Sequence, residues 1–592
     1  MMKKMKTMKC ILNTIILSLS MTLMSCGDFL EIKPQDVITV DDFWNEKSDV
    51  ENAIAACYSA MTSYGFLSRM MIWGEFRSEN VINNGNINED VNLENVLTES
   101  LTASNAYSSW ADFYTVINRC NVAIMYAPKV AAVDPAYDQT TLKAHLAELT
   151  ALRSLCYFYL IRTFKDVPYY EEPFISDDQQ LYLPATSFET VLDNIIASLE
   201  QVKGDAIEKY PKSSTDAGMY QTGRITKESI YAMLCDMYLW KKDYVNCVKY
   251  ADLVIEAKKK AAEEDEDRIR KQDFSEFNGY PLIATKYQGY SNMFGNAFTS
   301  IFIDGNSSES IFELCFVKGS EGTKPSNGPV SNFFGGRPVP FVKPSDYVSS
   351  DISLSSPLIF SNKYDGRAYE NFRFTGGSSD PTPSGINKYV SSTNVMLGDP
   401  NTNSFYMSGS WGTPYSVYGD KYDSRNKSNY IVYRLTDIML LKAEALTQMM
   451  ADDASTLSET DVDLRNRAFD LVTAINKRSL YQSVLKDTLI VTNYPSKELI
   501  TNLVYDERER ELMFEGKRYF DLVRRAQREG NTKYLRTKVR LKSTDNASVI
   551  DSKLTRMEAI YWPYNLDELK VNGYLKQNPA FGSGENGSFD RN

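Results

Sequence analysis

The chain has 592 residues, with 77 acidic against 65 basic side chains, a net charge of −12 and 12% aromatic residues. An acidic chain without a basic tract is unsuited to nucleic acid, whose binding rests on Lys and Arg neutralising phosphates, or to anionic headgroups. His145 is the sole histidine, which excludes a multi-histidine metal site, and no cysteines stand at metal-ligand spacing.

At the N-terminus Lys3, Lys4, Lys6 and Lys9 precede an apolar run of 14 residues, Ile11–Met24. That is too short to span a bilayer as a stable helix and has the pattern of a secretory leader. It ends at Leu23-Met24-Ser25-Cys26, which looks like a bacterial lipobox. Residues 1–25 are therefore expected to be removed, leaving Cys26 as the lipidated first residue. Their loss takes away four lysines and no acids, so the net charge falls from −12 to −16. No later stretch has about 18 uninterrupted apolar residues, so membrane contact is expected through the lipid alone.

Apolar periodicity predicts helices over Asp41–Tyr64 and over Trp110–Ala127, the second ended by Pro128. Leu142–Phe164 is apolar almost all round and is expected to be a central helix; His145, near its start, reads as structural. Phe188–Val202 follows. Thr226–Trp240 and Asp243–Ala257 form a helix hairpin with tetratricopeptide-like spacing, across which Cys235 and Cys247 could face each other. Lys258–Lys271 is a charge run, read as a solvated helix end or loop. Trp44, Trp110 and Trp240 fall on helices and are expected in the core. Helical pattern returns at Tyr430–Met450 and Asp463–Arg478.

Leu499–Arg525 organises the rest. Leu499, Leu503, Glu507, Arg510 and Phe514 share a helical face, with Ile500, Val504 and Glu511 beside them. An apolar stripe running into charge admits two readings, a catalytic carboxylate pair at Glu507 and Glu511 or a buried ion-pair network. Two-carboxylate catalysis needs a substrate-sized gap, which helix neighbours among arginines do not offer, so the network is preferred. Gly516 is either a close-packing point or a break before a second helix.

Glu507-Arg508, Glu511-Leu512, Phe514-Glu515-Gly516, Arg518 and Asp521-Leu522 together resemble the C-terminal signature of the SusD/RagB family. Ala147-Glu148, Leu152-Arg153, Asp166-Val167-Pro168, Arg434, Ala443-Glu444-Ala445 and Gln577-Asn578-Pro579 resemble it in order and spacing. Trp562-Pro563-Tyr564 replaces the family's usual Pro-Ile-Pro. The resemblance implies a mostly helical fold of tetratricopeptide-like hairpins with a loop-rich insert and a few short strands. Its parts would be residues 26–273, an insert over 274–429, and 430–592 completing the same fold. It further implies an outer-membrane, cell-surface lipoprotein that binds oligosaccharide and passes it to a TonB-dependent β-barrel transporter. The alternative is a peptide-binding or scaffold lipoprotein of the same transporter type. No GxSxG, HExxH, P-loop or dinucleotide fingerprint occurs, so neither catalysis nor a cofactor is expected.

Two stretches lack helical periodicity, Met71–Asn95 and Phe274–Asn429, apart from a strand at Ser310–Val317. A long loop region rich in aromatic residues is more often functional than disordered. Sugars are held by flat aromatic faces and by side chains that hydrogen-bond hydroxyls. The expected ligand-binding residues are Trp73, Arg77, Asn80, Asn83 and Asn84 in the first stretch. In the second they are Tyr287, Tyr290, Trp411 and Tyr415.

Overall fold

The computed structural model describes residues 43–85, 90–176, 179, 182–211, 217–264, 274–284, 296–316, 327–335, 340–349, 359–360, 365–375, 382–390, 396–399, 404–407, 428–452, 457–480, 489–543 and 545–582. Cys26 lies outside them, as do Tyr287, Tyr290, Trp411 and Tyr415. The molecule is mostly helical with a few short strand pairs, as expected. Among the described residues no helix is long and apolar enough to cross a membrane.

The N-terminal half begins with α1 (Lys47–Met61) and α2 (Tyr64–Met71), followed by β1 (Val81–Asn83) and α3 (Val91–Leu97). Then come α4 (Ala111–Val133), α5 (Gln139–Phe164), α6 (Phe188–Val202), α7 (Lys227–Trp240) and α8 (Tyr244–Glu264). Local chemistry fixes several starts. Ser187 caps α6 by accepting from the Thr190 N–H, and Thr226 and Ser229 form a capping box on α7. α5 is buried on every side, with His145 tied to the Tyr137 hydroxyl at 3.0 Å.

The helices stack on one another, α1 on α4, α4 on α5, α5 on α6 and α7 on α8. In the last hairpin the Cys235 and Cys247 sulfurs meet at 3.7 Å, and burial raises the Cys235 thiol. α4 runs through Pro128 to Val133 instead of stopping there. The buried side chains of Ala127 and Val130 offset the hydrogen bond that proline removes.

The insert supplies β2 (Ser310–Leu314) and β3 (Val342–Pro344). β4 (Tyr430–Arg434) pairs antiparallel with β2, and only from Leu435 does the chain turn into α9 (Leu435–Gln448). The expected helix from Tyr430 is therefore a strand followed by a helix. Five consecutive buried residues suit either element, and pairing with β2 decides it. α10 (Glu459–Ser479) and α11 (Lys497–Leu512) pack on α9, which also rests on α8, so the stack runs on into the C-terminal region. α12 (Arg518–Glu529), α13 (Lys533–Val539) and α14 (Leu566–Val571) complete the helices used below. The chain breaks between α11 and α12, where Gly516 has φ +71°, so this glycine is both a break and a close contact.

The charges of α11 are a buried clamp. Glu511 pairs with Arg434 at 2.6 Å, Arg367 at 2.9 Å and Arg478. Glu507 pairs with Arg367 and Arg510, both at 2.8 Å. Burial alone would raise the Glu511 carboxyl, but Arg478, Arg434 and Arg367 outweigh it and hold it well below its ordinary value. Glu515 takes Arg434 and Lys388 at 2.8 and 2.7 Å. Arg367 and Lys388 belong to the insert, so the network fastens the insert to α11. The preferred reading of Glu507 and Glu511 holds.

Candidate functional site

The two loop stretches expected to share a surface do meet. β1 pairs antiparallel with β3, Val81 opposite Pro344 and Asn83 opposite Val342. Beyond the strand the Asn84 N–H donates to the Phe341 carbonyl and the Asn84 side chain to the Pro340 carbonyl. The Phe341 N–H in turn donates to the Asn332 carbonyl, and the Asn332 amide to the Tyr64 hydroxyl at 3.0 Å. A hydrogen-bonded path thus joins the end of β1 to the start of α2 through the insert.

Tyr64 stands at the mouth of this surface. Ser63 caps α2 by accepting from the Phe66 N–H, which turns the first helical residue outward. Its side chain is among the few large apolar ones left open, 44% exposed. Tyr107 lies nearby, its hydroxyl donating to Asp90 at 2.5 Å. Burial, then Asp90, pushes its phenol far above the usual range, so it stays neutral. Asn83 and Asn84 sit half-buried at the rim, the Asn83 side chain accepting from the Gly85 N–H. A half-open ring beside carboxamides can stack on a sugar ring and hydrogen-bond its hydroxyls. Tyr64, Tyr107 and Asn332 were missed in the sequence because nothing in a local pattern marks which ring of a helical stretch faces out.

Trp73, Arg77 and Asn80 require a correction, since all are buried. The chain from Ile72 to Phe76 is a π-helical turn continuing α2, where a loop was expected, and it turns these residues inward. Trp73 stacks on Phe113 at 4.8 Å and meets Phe164 and Trp562 edge-on, its indole N–H donating to the Tyr107 carbonyl at 2.9 Å. Arg77 pairs with Glu99 at 2.7 Å and donates to the Ala559 and Ile560 carbonyls. Asn80 donates to Glu75 at 2.8 Å. Glu75 accepts from the backbone N–H groups of Phe514, Gly516 and Lys517. These side chains hold up the surface from beneath; none offers a face to a ligand.

The fold has known counterparts. Residues 299–581 match the SusD family. A SusD-like protein of Formosa agariphila is 25% identical over 530 residues, 88% of this chain and 92% of that one. A second from the same organism is 24% identical over 84% of this chain and 87% of its own length. Among solved structures, a SusD superfamily protein of Bacteroides vulgatus aligns with a TM-score of 0.62 at 15% identity, covering 91% of this chain and all of the other. A laminarin-binding SusD-like protein aligns at 0.56 with 18% identity, over 90% of this chain and all of that one. At such identities the structural likeness establishes the shared fold. The family match over residues 299–581, the SusD-like relatives and the charge signature of α11 and α12 together support a SusD/RagB family protein.

Proposed function

We propose that this protein captures an oligosaccharide without chemical change at the surface of Tyr64, Asn83, Asn84 and Asn332, and passes it to a TonB-dependent outer-membrane transporter. The observation that carries the reading is the hydrogen-bonded path from the end of β1 through Phe341 and Asn332 to Tyr64, which gathers a half-open tyrosine ring and several carboxamides. The insert's Tyr287, Tyr290, Trp411 and Tyr415 are the proposed further contributors. The laminarin-binding relative supports a glucan or a similar neutral polysaccharide as ligand class. Lipidation at Cys26 would tether the protein to the outer membrane, where a transporter partner could receive the ligand.

The test is calorimetry of the purified protein against a broad glycan panel, followed by Tyr64→Ala and Trp411→Ala on any hit. A hit weakened by either change supports the surface. Failure to bind any glycan, with a peptide retained instead, overturns the reading.

A further inference from the structure

A second feature lies away from that surface. A cleft of about 500 Å³ is formed by α4, the segment after α5 and α14, and no residue of α2, β1 or β3 lines it. Its size lies within the range of small-molecule sites. Nearly buried Trp110 forms the floor, and Tyr114, Tyr170 and Phe174 form a wall. Tyr114 and Tyr170 lie 5.5 Å apart at 31°, and Tyr170 meets Phe174 edge-on at 4.6 Å.

These rings are held in place. The Tyr114 hydroxyl donates to the Pro168 carbonyl at 2.6 Å. Asn118 clamps Phe174 through both its backbone groups, accepting at 2.8 Å and donating at 3.1 Å. The wall is therefore preorganised, which limits the entropy lost on binding. Tyr182, 42% exposed, stands at the entrance.

The polar lining narrows the ligand. Glu568 sits half-buried within electrostatic reach of Tyr114 and Tyr170, and burial raises its carboxyl against the opposing influence of Trp110. The Tyr170 hydroxyl has no hydrogen bond among the described residues. Arg119 lines the same cleft and spends one N–H on the Ala56 carbonyl. An anion would meet Glu568 and a cation would meet Arg119. A purely apolar guest would leave the carboxylate and the phenol unsatisfied. A neutral ring with an apolar face and hydroxyls on its edge satisfies all of them.

We infer that this cleft is a second saccharide-binding site, taking one or a few pyranose units of a neutral oligosaccharide between the Tyr114–Tyr170–Phe174 wall and Glu568. Two separate sites on one protein would let it hold a long chain at two points, with the avidity that linkage confers.

Hydrogen–deuterium exchange of the purified protein tests it, with millimolar glucan, xylan and mannan oligosaccharides as probes. Protection should appear over residues 168–174 and 566–575. Tyr170→Phe and Glu568→Gln, chosen to preserve packing, should each weaken that binding about tenfold, while Tyr64→Ala leaves it unchanged. Protection confined to residues 64–85 and 327–344 overturns the cleft and spares the Tyr64 surface. Protection at the cleft alone sustains the cleft and removes that surface. No protection by any probe, or binding indifferent to both conservative variants, also overturns the proposal.

Discussion

Gly74 and Gly516 touch backbone to backbone: a Cβ added to Gly74 would collide with the Gly516 carbonyl oxygen, and one added to Gly516 would collide with the Tyr430 hydroxyl. This contact seats the turn beneath the Tyr64 surface on the junction between α11 and α12. Gly516 also has φ +71°, where L side chains are strained. Gly74→Ala and Gly516→Ala are each expected to cost more than about 2 kcal/mol, from strain and forced displacement. Urea denaturation measures this, and midpoints unchanged from the parent protein would show that the contact relaxes freely.

Glu511 is the hub of the clamp, and its replacement removes the one carboxylate that three buried arginines share. Glu511→Gln keeps the shape but leaves Arg367, Arg434 and Arg478 short of a counter-charge. The expected loss is about 3–5 kcal/mol, the range for breaking a buried pair from one side. Because Arg367 is part of the insert, proteolysis should cut between residues 350 and 430 faster in the variant. Equal stability and equal cleavage would mean that the insert is fastened elsewhere.

The α11 network was legible in the sequence because charge interrupting an apolar stripe at helical spacing has few physical solutions, and burial with arginines is the main one. Phe188–Val202 was legible from its amphipathic pattern, and the structure adds Ser187 as its cap. Tyr430–Arg434 was not, since a fully buried run has no periodicity to separate strand from helix, and its partner β2 lies far away in sequence. Trp73 was misplaced for a related reason. A tryptophan followed by Arg and Asn reads the same whether it faces a sugar or a core, and only the π-helical turn decides. Tyr64 was overlooked as one aromatic among many at a helix end.

Glu79 and Glu509 share Arg518, each at 2.6 Å from the same nitrogen. Glu79 Oε2 and Glu509 Oε1 have no hydrogen-bond partner among the described residues. Two buried carboxylates on one guanidinium favour retention of a proton. Burial first, with Glu79 adding to it, pushes Glu509 up to about 7 against the pull of Arg518 and Lys538. A carboxyl raised in the folded state binds its proton more tightly there than in the unfolded chain. Its contribution is therefore complete below the unfolded value, near 4.5, and is lost as pH rises through about 7. Thermal melts across this window should show a decline that is shallower in Glu509→Gln. An identical slope in the variant would place the proton elsewhere.

Trp73 and Tyr64 separate support from contact. Trp73 fills a wholly buried site between Phe113, Phe164 and Trp562, so Trp73→Ala should cost about 3–5 kcal/mol, as large aromatic truncations in cores do. Any glycan affinity lost with it should return in Trp73→Phe, which keeps most of the packing but no indole. Tyr64 is nearly half open, so Tyr64→Ala should cost less than about 1 kcal/mol, the scale of substitutions away from packed features. It should nevertheless weaken glycan binding about tenfold, the equivalent of one lost stacking contact of about 1.4 kcal/mol. Melting temperature and affinity measured on the same preparations decide the matter. If Trp73→Phe binds poorly at full stability while Tyr64→Ala binds normally, the indole itself touches sugar and the surface must open to expose it.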